Sequence, residues 1–470
     1  MKKILSCIML VLILISTLAI AVNIKLATAE HATIIVPDDY PTLQEAINAA
    51  SFGDVVLVKS GIYYEIIVIN KSISLIGESK ESTIIDGLRR TVVVSIEADG
   101  VLIKGFTIQN GTDPTCPGWQ HAGIGVRNCS NVVIKDNIVR GCDEGIWLLS
   151  ASNCIVEGNM IYNNYRPGVK ITHWRKQAIY PEKNLITNNT IISNYMGLYI
   201  SDSSGNKISR NVIKSNIDSG ICLYHLTSFN EISENTIADN PLGIFVGGNE
   251  NNKIYHNNLI NNEIQAYVYK YEGVAPSNFW DDGYPSGGNY WSDYNGTDAD
   301  CDGIGDAPYV IDVNNTDMYP LMAPFRTFDA GIWSGISYNI DVVSNSSVSG
   351  FRFDVDQKSV CFNVTGDDGT VGFCRVTIPK ELLWVDDGWT ITVGDQLITN
   401  YLEFEDEKFT YLYFTYNHST QTVTIQGTHV IPEYTTTTPP ILLLLTITLT
   451  IIINKKQRKP KFLNLSISVS

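Results

Sequence analysis

Residues 131–149 read NVVIKDNIVRGCDEGIWLL, and the chain then repeats that phrase: 153–171 NCIVEGNMIYNNYRPGVKI, 184–200 NLITNNTIISNYMGLYI, 206–223 NKISRNVIKSNIDSGICL, 230–246 NEISENTIADNPLGIFV and 252–262 NKIYHNNLINN. The copies align on Gly123, Gly145, Gly168, Gly197, Gly220 and Gly243, spaced 22, 23, 29, 23 and 23 residues apart. Each contains several short segments of period 2, rich in β-branched residues, and none sustains a 3.6-residue spacing. A fixed period of this length describes one coil of a solenoid, and the strands within it describe a parallel β-helix.

Stacked coils place equivalent residues over one another at about 4.8 Å, the distance between hydrogen-bonded strands. The pattern predicts an interior ladder of Val133, Ile155, Ile186, Ile208, Ile232 and Ile254. It predicts a second ladder of Asn137, Asn159, Asn188, Asn211, Asn235 and Asn257 at a turn, its side-chain amides bonded along the axis. Asparagine and glycine also tolerate the left-handed backbone that such corners need.

Working outward, ATIIVPDDYPTLQEAINAASFGDVVLVKS (32–60) opens the fold. Thr42 and Glu45 form a capping box, and Leu43, Ala46, Ile47 and Ala50 share a helical face, which predicts a short amphipathic helix plugging the open end. Room follows for about nine coils at this period. The segment PTLQEAINAASFGDVVLVKSGIYYEIIVINKSISLIGE, with the N-x-I-x-x-N repeats after it, resembles the right-handed β-helix family that includes NosD-type periplasmic proteins and the carbohydrate-binding and sugar-hydrolase domain. Its opening is similar to that of pectin methylesterases. NFWDDGYPSGGNYWSDYNGTDADCDGIGDAPYVIDVNNTDMYPL (278–321) resembles the closing segment of archaeal surface members. The resemblance, over roughly 32–325, implies a right-handed coil and a family that mixes enzymes, binders and accessory proteins.

From Phe328 to Thr428 the repeat stops, and alternating segments between turn residues predict an antiparallel β-sandwich. It resembles a module placed before the anchor in archaeal surface proteins. The ends carry targeting patterns. Lys2 and Lys3, the apolar run to Val22 and Ala27-Thr28-Ala29 read as an export signal. Apolar 441–453 followed by Lys455, Lys456, Arg458, Lys459 and Lys461 reads as a stop-transfer anchor. IPEY (431–434) is similar to a Pro-Glu-Phe sorting signal but has Tyr for Phe. The expected organisation is therefore signal 1–29, β-helix 30–275, cap 276–327, β-sandwich 328–430, linker 431–440, transmembrane anchor 441–453 and cytoplasmic basic tail 454–470. It describes an exported protein anchored at the cell surface.

Without the three lysines of the signal and the five basic residues of the tail, 25 Lys and Arg stand against 49 Asp and Glu, a net charge of −24. That excludes nucleic acid as a partner and favours neutral ligands, cations, or anionic glycans bridged by a divalent metal. Sequons at Asn70, Asn110, Asn128, Asn188, Asn295, Asn314, Asn345, Asn363 and Asn417 fit glycosylation outside the cell. Eight cysteines follow the signal. Cys361 and Cys374, symmetric about GDDG in CFNVTGDDGTVGFC, predict a disulfide across a hairpin, and Cys116 and Cys142 could tie a loop to the helix.

Two regions carry candidate chemistry. In DADCDGIGD, Asp298, Asp300, Asp302 and Asp306 offer alternate oxygens on a tight loop, the pattern of a structural Ca²⁺ site, although the terminal Glu of an EF-hand is missing. The second region is the sheet face beside the glycine column. Its register lines up His121, Asp143, Arg166, Tyr195 and Asp218; then Trp147, Lys170, Tyr199 and Phe245; then His173, Asp202 and His225. Aromatic platforms among carboxylates suit sugar rings, and the insertions 111–120 (with Trp119) and 173–183 overhang that face. A polysaccharide or cell-envelope glycan is the expected partner. For catalysis, His121, Asp143 and Arg166 form the best constellation. A two-carboxylate hydrolase is disfavoured, because Asp143 and Asp218 lie three coils apart and Asp143 and Glu144 point different ways. The D-P-H-E signature of alginate epimerases, the G-H-G of polygalacturonases and the pectinesterase Gln/Asp pair are missing. Copper, which the NosD resemblance raises, would want converging His and Met; His121, His173 and His225 are scattered along the axis. The readings are a carbohydrate-binding or envelope protein, a polysaccharide lyase, epimerase or hydrolase, or a purely structural adhesin.

Overall fold

The computed structural model describes residues 31–112, 121–173, 181–270 and 276–431. The signal, most of the linker, the anchor and the tail lie outside them, as do Trp119 and Cys116. No helix among the described residues is long and apolar enough to cross a membrane. The chain divides into two units, one ending at Phe325 and one beginning at Arg326.

The first unit is a parallel β-solenoid of three sheets with ten, nine and ten strands. In the coil that opens the repeat, 133–135 lies in sheet one, 138–140 in sheet three and 144–149 in sheet two, and each pairs in parallel with its neighbours one coil away. Ten strands in two of the three sheets exceed the nine coils read from the period, because short strands at the ends also stack. The helix Leu43–Ala49 opens the unit: Thr42 accepts from the Glu45 N–H at 3.2 Å, and Leu43, Ala46 and Ile47 are buried in the solenoid core. The Glu65 carboxylate takes the Leu43 and Gln44 N–H groups, two donors that a helix start leaves unpaired.

Two predicted ladders need a one-residue correction. The interior aliphatic ladder is Ile134, Val156, Ile186, Ile208, Ile232 and Ile254, all fully buried. Val133 and Ile155 sit one residue away, and a slip of one turns a side chain to the other face. Likewise Asn189, not Asn188, joins the ladder Asn137–Asn159–Asn189–Asn211–Asn235–Asn257–Asn289. Asn188 is the residue before it, with φ of 55°. The corner consists of one residue in the left-handed conformation followed by an inward asparagine, so an Asn-Asn pair fills both roles.

The same device builds the other two corners. Asn164, Asn194, Asn216, Asn240 and Asn262 form a second ladder. Asn184, Asn206, Asn230, Asn252, Asn278 and Asn315 form a third. Buried Cys142 and Cys154 head these two columns, their backbone N–H groups donating to Asn164 and Asn184. The glycine column has a steric cause: a Cβ on Gly145 would lie 2.4 Å from the Gly168 carbonyl oxygen and 2.8 Å from Ile161.

Residues 276–325 close the unit. Trp280 and Trp291 are buried with ring centres 5.9 Å apart, and Tyr309 stacks on Trp291 at 4.1 Å. The strand Asn315–Asp317 terminates two ladders, with Asn315 Oδ1 accepting from Asn278 and Trp280, and Asp317 Oδ2 from the Asn289 N–H at 2.7 Å and Trp291 Nε1 at 2.8 Å.

The second unit has two five-stranded antiparallel sheets around a core that includes Phe362, Val376, Ile391, Leu412 and Phe414. The predicted Cys361–Cys374 disulfide does not form, and both cysteines are free. Strands 359–365 and 371–379 are not a hairpin: the first pairs with 347–354 and 421–426, the second with 336–344 and 409–417, in the other sheet. Cys374 points into the core beside Tyr416, and Cys361 lies beside Thr424. Symmetry about a turn was a false guide because the chain crosses between sheets there.

Candidate functional site: the outer face of sheet two

Sheet two brings the predicted face together in the predicted register. Gly125, Trp147, Lys170, Tyr199, Cys222, Phe245 and Tyr267 are successive partners across the coils. Two residues on, Ser201, Tyr224, Gly247 and Tyr269 form a parallel row.

The two halves of the face differ in exposure. Toward the N-terminal end, Trp147 and Lys170 are only 7% and 8% exposed, and His121 and His173 are equally buried. This overturns the expectation of an open platform at Trp147. Its indole N–H donates to Thr172 Oγ1 at 2.7 Å, and the Lys170 ammonium lies 4.7 Å from its ring centre. Lys170 Nζ also bonds the fully buried Glu144 at 2.8 Å, and among the described residues Glu144 Oε2 has no partner. Beside this pair, His121 Nδ1 meets Asp143 Oδ2 at 3.0 Å, and Thr112 donates to the other Asp143 oxygen at 2.8 Å. Arg166 joins through its backbone N–H, which donates to the Asp143 carbonyl at 2.9 Å. Adjacent Asp143 and Glu144 do face different surroundings, one toward His121 and one under Lys170.

The C-terminal half is open and aromatic. Tyr224, Tyr267 and Tyr269 are about half exposed at 50%, 47% and 50%, and Tyr195 is exposed beside them. Tyr199 and Tyr224 lie 6.1 Å apart by ring centres, and Phe245 stacks on Tyr267 at 6.1 Å. A Cβ on Gly247 would sit 2.8 Å from the Phe245 ring and 3.2 Å from Tyr224, so the glycine leaves room for both rings. His225 Nδ1 pairs with Asp202 Oδ1 at 2.8 Å at the margin, and Asp218 accepts from Ser219. Burial pushes the Tyr199 hydroxyl up to about 12, so it stays a neutral donor. Sequence reading missed Tyr224, Tyr267 and Tyr269. The period-2 alternation of ICLYH and IQAYVYK was the available signal, but the glycine that anchors the other copies is replaced by Gln265 in the last.

The second candidate is the Asp loop. Carboxylate oxygens of Asp298, Asp300 and Asp302 lie within 4.8 Å of one another. Asp298 takes the Asp302 and Gly303 N–H groups, and burial pushes its carboxyl up against those donors. Asp306 does not join the cluster. Its Oδ2 accepts from Thr297 Oγ1 at 3.0 Å and the Ala299 N–H at 2.9 Å, which braces the loop.

A family model described as right handed beta helix region matches residues 56–225, and one described as periplasmic copper-binding protein (NosD) matches 177–296. A cell surface glycoprotein of Methanothermus fervidus is 30% identical over 245 residues, 45% of this chain and 38% of that protein. A probable pectinesterase/pectinesterase inhibitor of Arabidopsis thaliana is 28% identical over 160 residues, 28% of either chain. The chain thus spans about a third of the length of the curated relatives it matches. Among solved structures, an alginate lyase from Paenibacillus sp. matches 55% of this chain and 97% of its own, at 15% identity and a TM-score of 0.36.

Proposed function

We propose, for a chain that belongs to the right-handed β-helix family, that it is an exported cell-surface protein whose β-helix binds a glycan along sheet two. The observation that carries this reading is the open aromatic strip of Tyr199, Tyr224, Phe245, Tyr267 and Tyr269 across four coils. Coils about 4.8 Å apart spread these rings over about 14 Å, and the C–H faces of sugar rings stack on such platforms. Asp218 and His225 flank the strip as hydroxyl partners. Surface placement is supported by the cell surface glycoprotein relative and by the sequons, of which all but Asn110 are exposed. The apolar segment 441–453 with its basic tail supports attachment to the membrane. Ca²⁺ held by Asp298, Asp300 and Asp302 would be structural, three carboxylates converging as a hard cation requires.

A second reading is favoured by the His121–Asp143–Thr112 arrangement next to the Lys170–Glu144 pair: an acid–base site for a polysaccharide lyase or epimerase. The test applies the purified protein to neutral and uronate polysaccharides and reads retention and product together. Retention without product, weakened about tenfold by Tyr267→Ala, supports binding; for an exposed ring this change should leave stability within about 0.5 kcal/mol. Product that vanishes with His121→Gln makes the protein an enzyme. No retention and no product leaves a structural envelope protein.

A further inference from the structure

We propose that the β-sandwich unit has its own ligand site, a cavity for a small amine-bearing molecule. The cavity, about 450 Å³ and open to solvent, is lined by Trp384, Trp389, Lys380, Glu381, Glu403 and Glu405. That size falls within the range of sites that enclose a small organic ligand. Glu381 and the two tryptophans come from the connection after strand 371–379; Glu403 and Glu405 come from strand Tyr401–Glu405.

The charges decide the ligand class. Lys380 is already committed, its Nζ donating to Glu405 Oε2 and the Asp406 carbonyl, each at 2.8 Å. Glu403 receives the Trp389 indole N–H at 2.9 Å, and Glu381 the Tyr338 hydroxyl at 3.0 Å. Both donors are neutral, and among the described residues neither glutamate makes an ion pair. Two solvent-exposed carboxylates with no ion-pair partner among the described residues therefore share a concave site with the half-buried Trp384 and the largely buried Trp389. An anion is repelled. A neutral sugar finds hydrogen-bond acceptors but gains no ion pair. An ammonium pairs with the carboxylates while its carbon body packs against Trp384, one face of which is taken by His429 at 5.3 Å between ring centres. This site lies on a different unit from the aromatic strip and does not depend on it.

The test titrates the intact protein with glucosamine, N-acetylglucosamine, glucose, glucuronate and butylammonium, reading tryptophan fluorescence. Glucosamine and butylammonium are expected to give saturable changes that added NaCl weakens, and the other three none. Glu381→Gln and Glu403→Gln are isosteric, and glutamine at 403 still accepts the Trp389 N–H; each is expected to weaken glucosamine by about tenfold or more. Equal binding of glucose or N-acetylglucosamine would overturn the proposal in favour of ring recognition. Binding of glucuronate, an amine response unchanged in both variants, or no response to any amine would also overturn it.

Discussion

Asp317 ends the longest asparagine ladder with a carboxylate, and the direction of the ladder explains why. Each Asn Nδ2 donates to the Oδ1 of the next coil, so every amide dipole points the same way and along the ladder the last residue need only accept, which a carboxylate does. Asp317 accepts from Asn289, Trp291 and Tyr319, yet burial outweighs these donors and lifts its carboxyl to about 7. The sign follows from linkage. A carboxyl whose folded value lies above its unfolded value binds more protons in the native state. Its contribution is therefore present near pH 4 and lost as pH rises toward 7. A shift of this size corresponds to roughly 4 kcal/mol. Urea denaturation of wild type and Asp317→Asn across pH 4–8 should show the wild type losing stability relative to the variant over that window. A difference constant with pH would refute the assignment. None of this was legible in NNTDM, where Asp317 reads as one acid in an acidic cap; its role depends on which residue stacks beneath it.

The corners are the elements that make the coil. A left-handed residue followed by an inward asparagine costs backbone energy at Arg210, Glu234 and Phe229, whose φ values are 58°, 60° and 58°. The ladder offsets that cost: Asn211 alone accepts from Asn189 and donates to Asn235, Ile186 and Ser209. Asn211→Ala strands several buried groups at once and should destabilise the solenoid by roughly 3 kcal/mol or more, measurable as lost hydrogen-exchange protection centred on the flanking coils. Gly145→Ala should cost about 1–3 kcal/mol through the clash with the Gly168 carbonyl, read by thermal denaturation. The ladders were visible in sequence as a recurrent asparagine. Their register was not, because Asn188-Asn189 offers two asparagines where the ladder uses one, and the leading Asn131 and Asn153 occupy the left-handed position rather than the ladder.

At the scale of the molecule, a repetitive unit and a sandwich are stabilised by different means, and neither relies on a cross-link between Cys361 and Cys374. Burial raises the Cys374 thiol to about 11 and the Cys142 thiol to about 12, so both are weak nucleophiles at neutral pH. Reductant should therefore leave the melting temperature unchanged; a drop of several degrees would show a disulfide in solution. Ca²⁺ at the Asp298–Asp300–Asp302 loop predicts the opposite kind of dependence. Chelator should lower the melting temperature of the solenoid unit, and Asp300→Asn should abolish the effect. An unaffected wild type would remove calcium from the account.

The sequence by itself determined the solenoid, its capping helix, the change to a sandwich near residue 328 and the alignment of the glycine-centred face. All of these follow from periodicity, which local sequence encodes directly. Only the tertiary structure decided which half of that face is open, which residues close the ladders, that Cys361 and Cys374 belong to different sheets, and that tryptophans and glutamates of the sandwich share a cavity. Exposure and juxtaposition depend on segments far apart in the chain, and no local pattern records what lies across from a side chain.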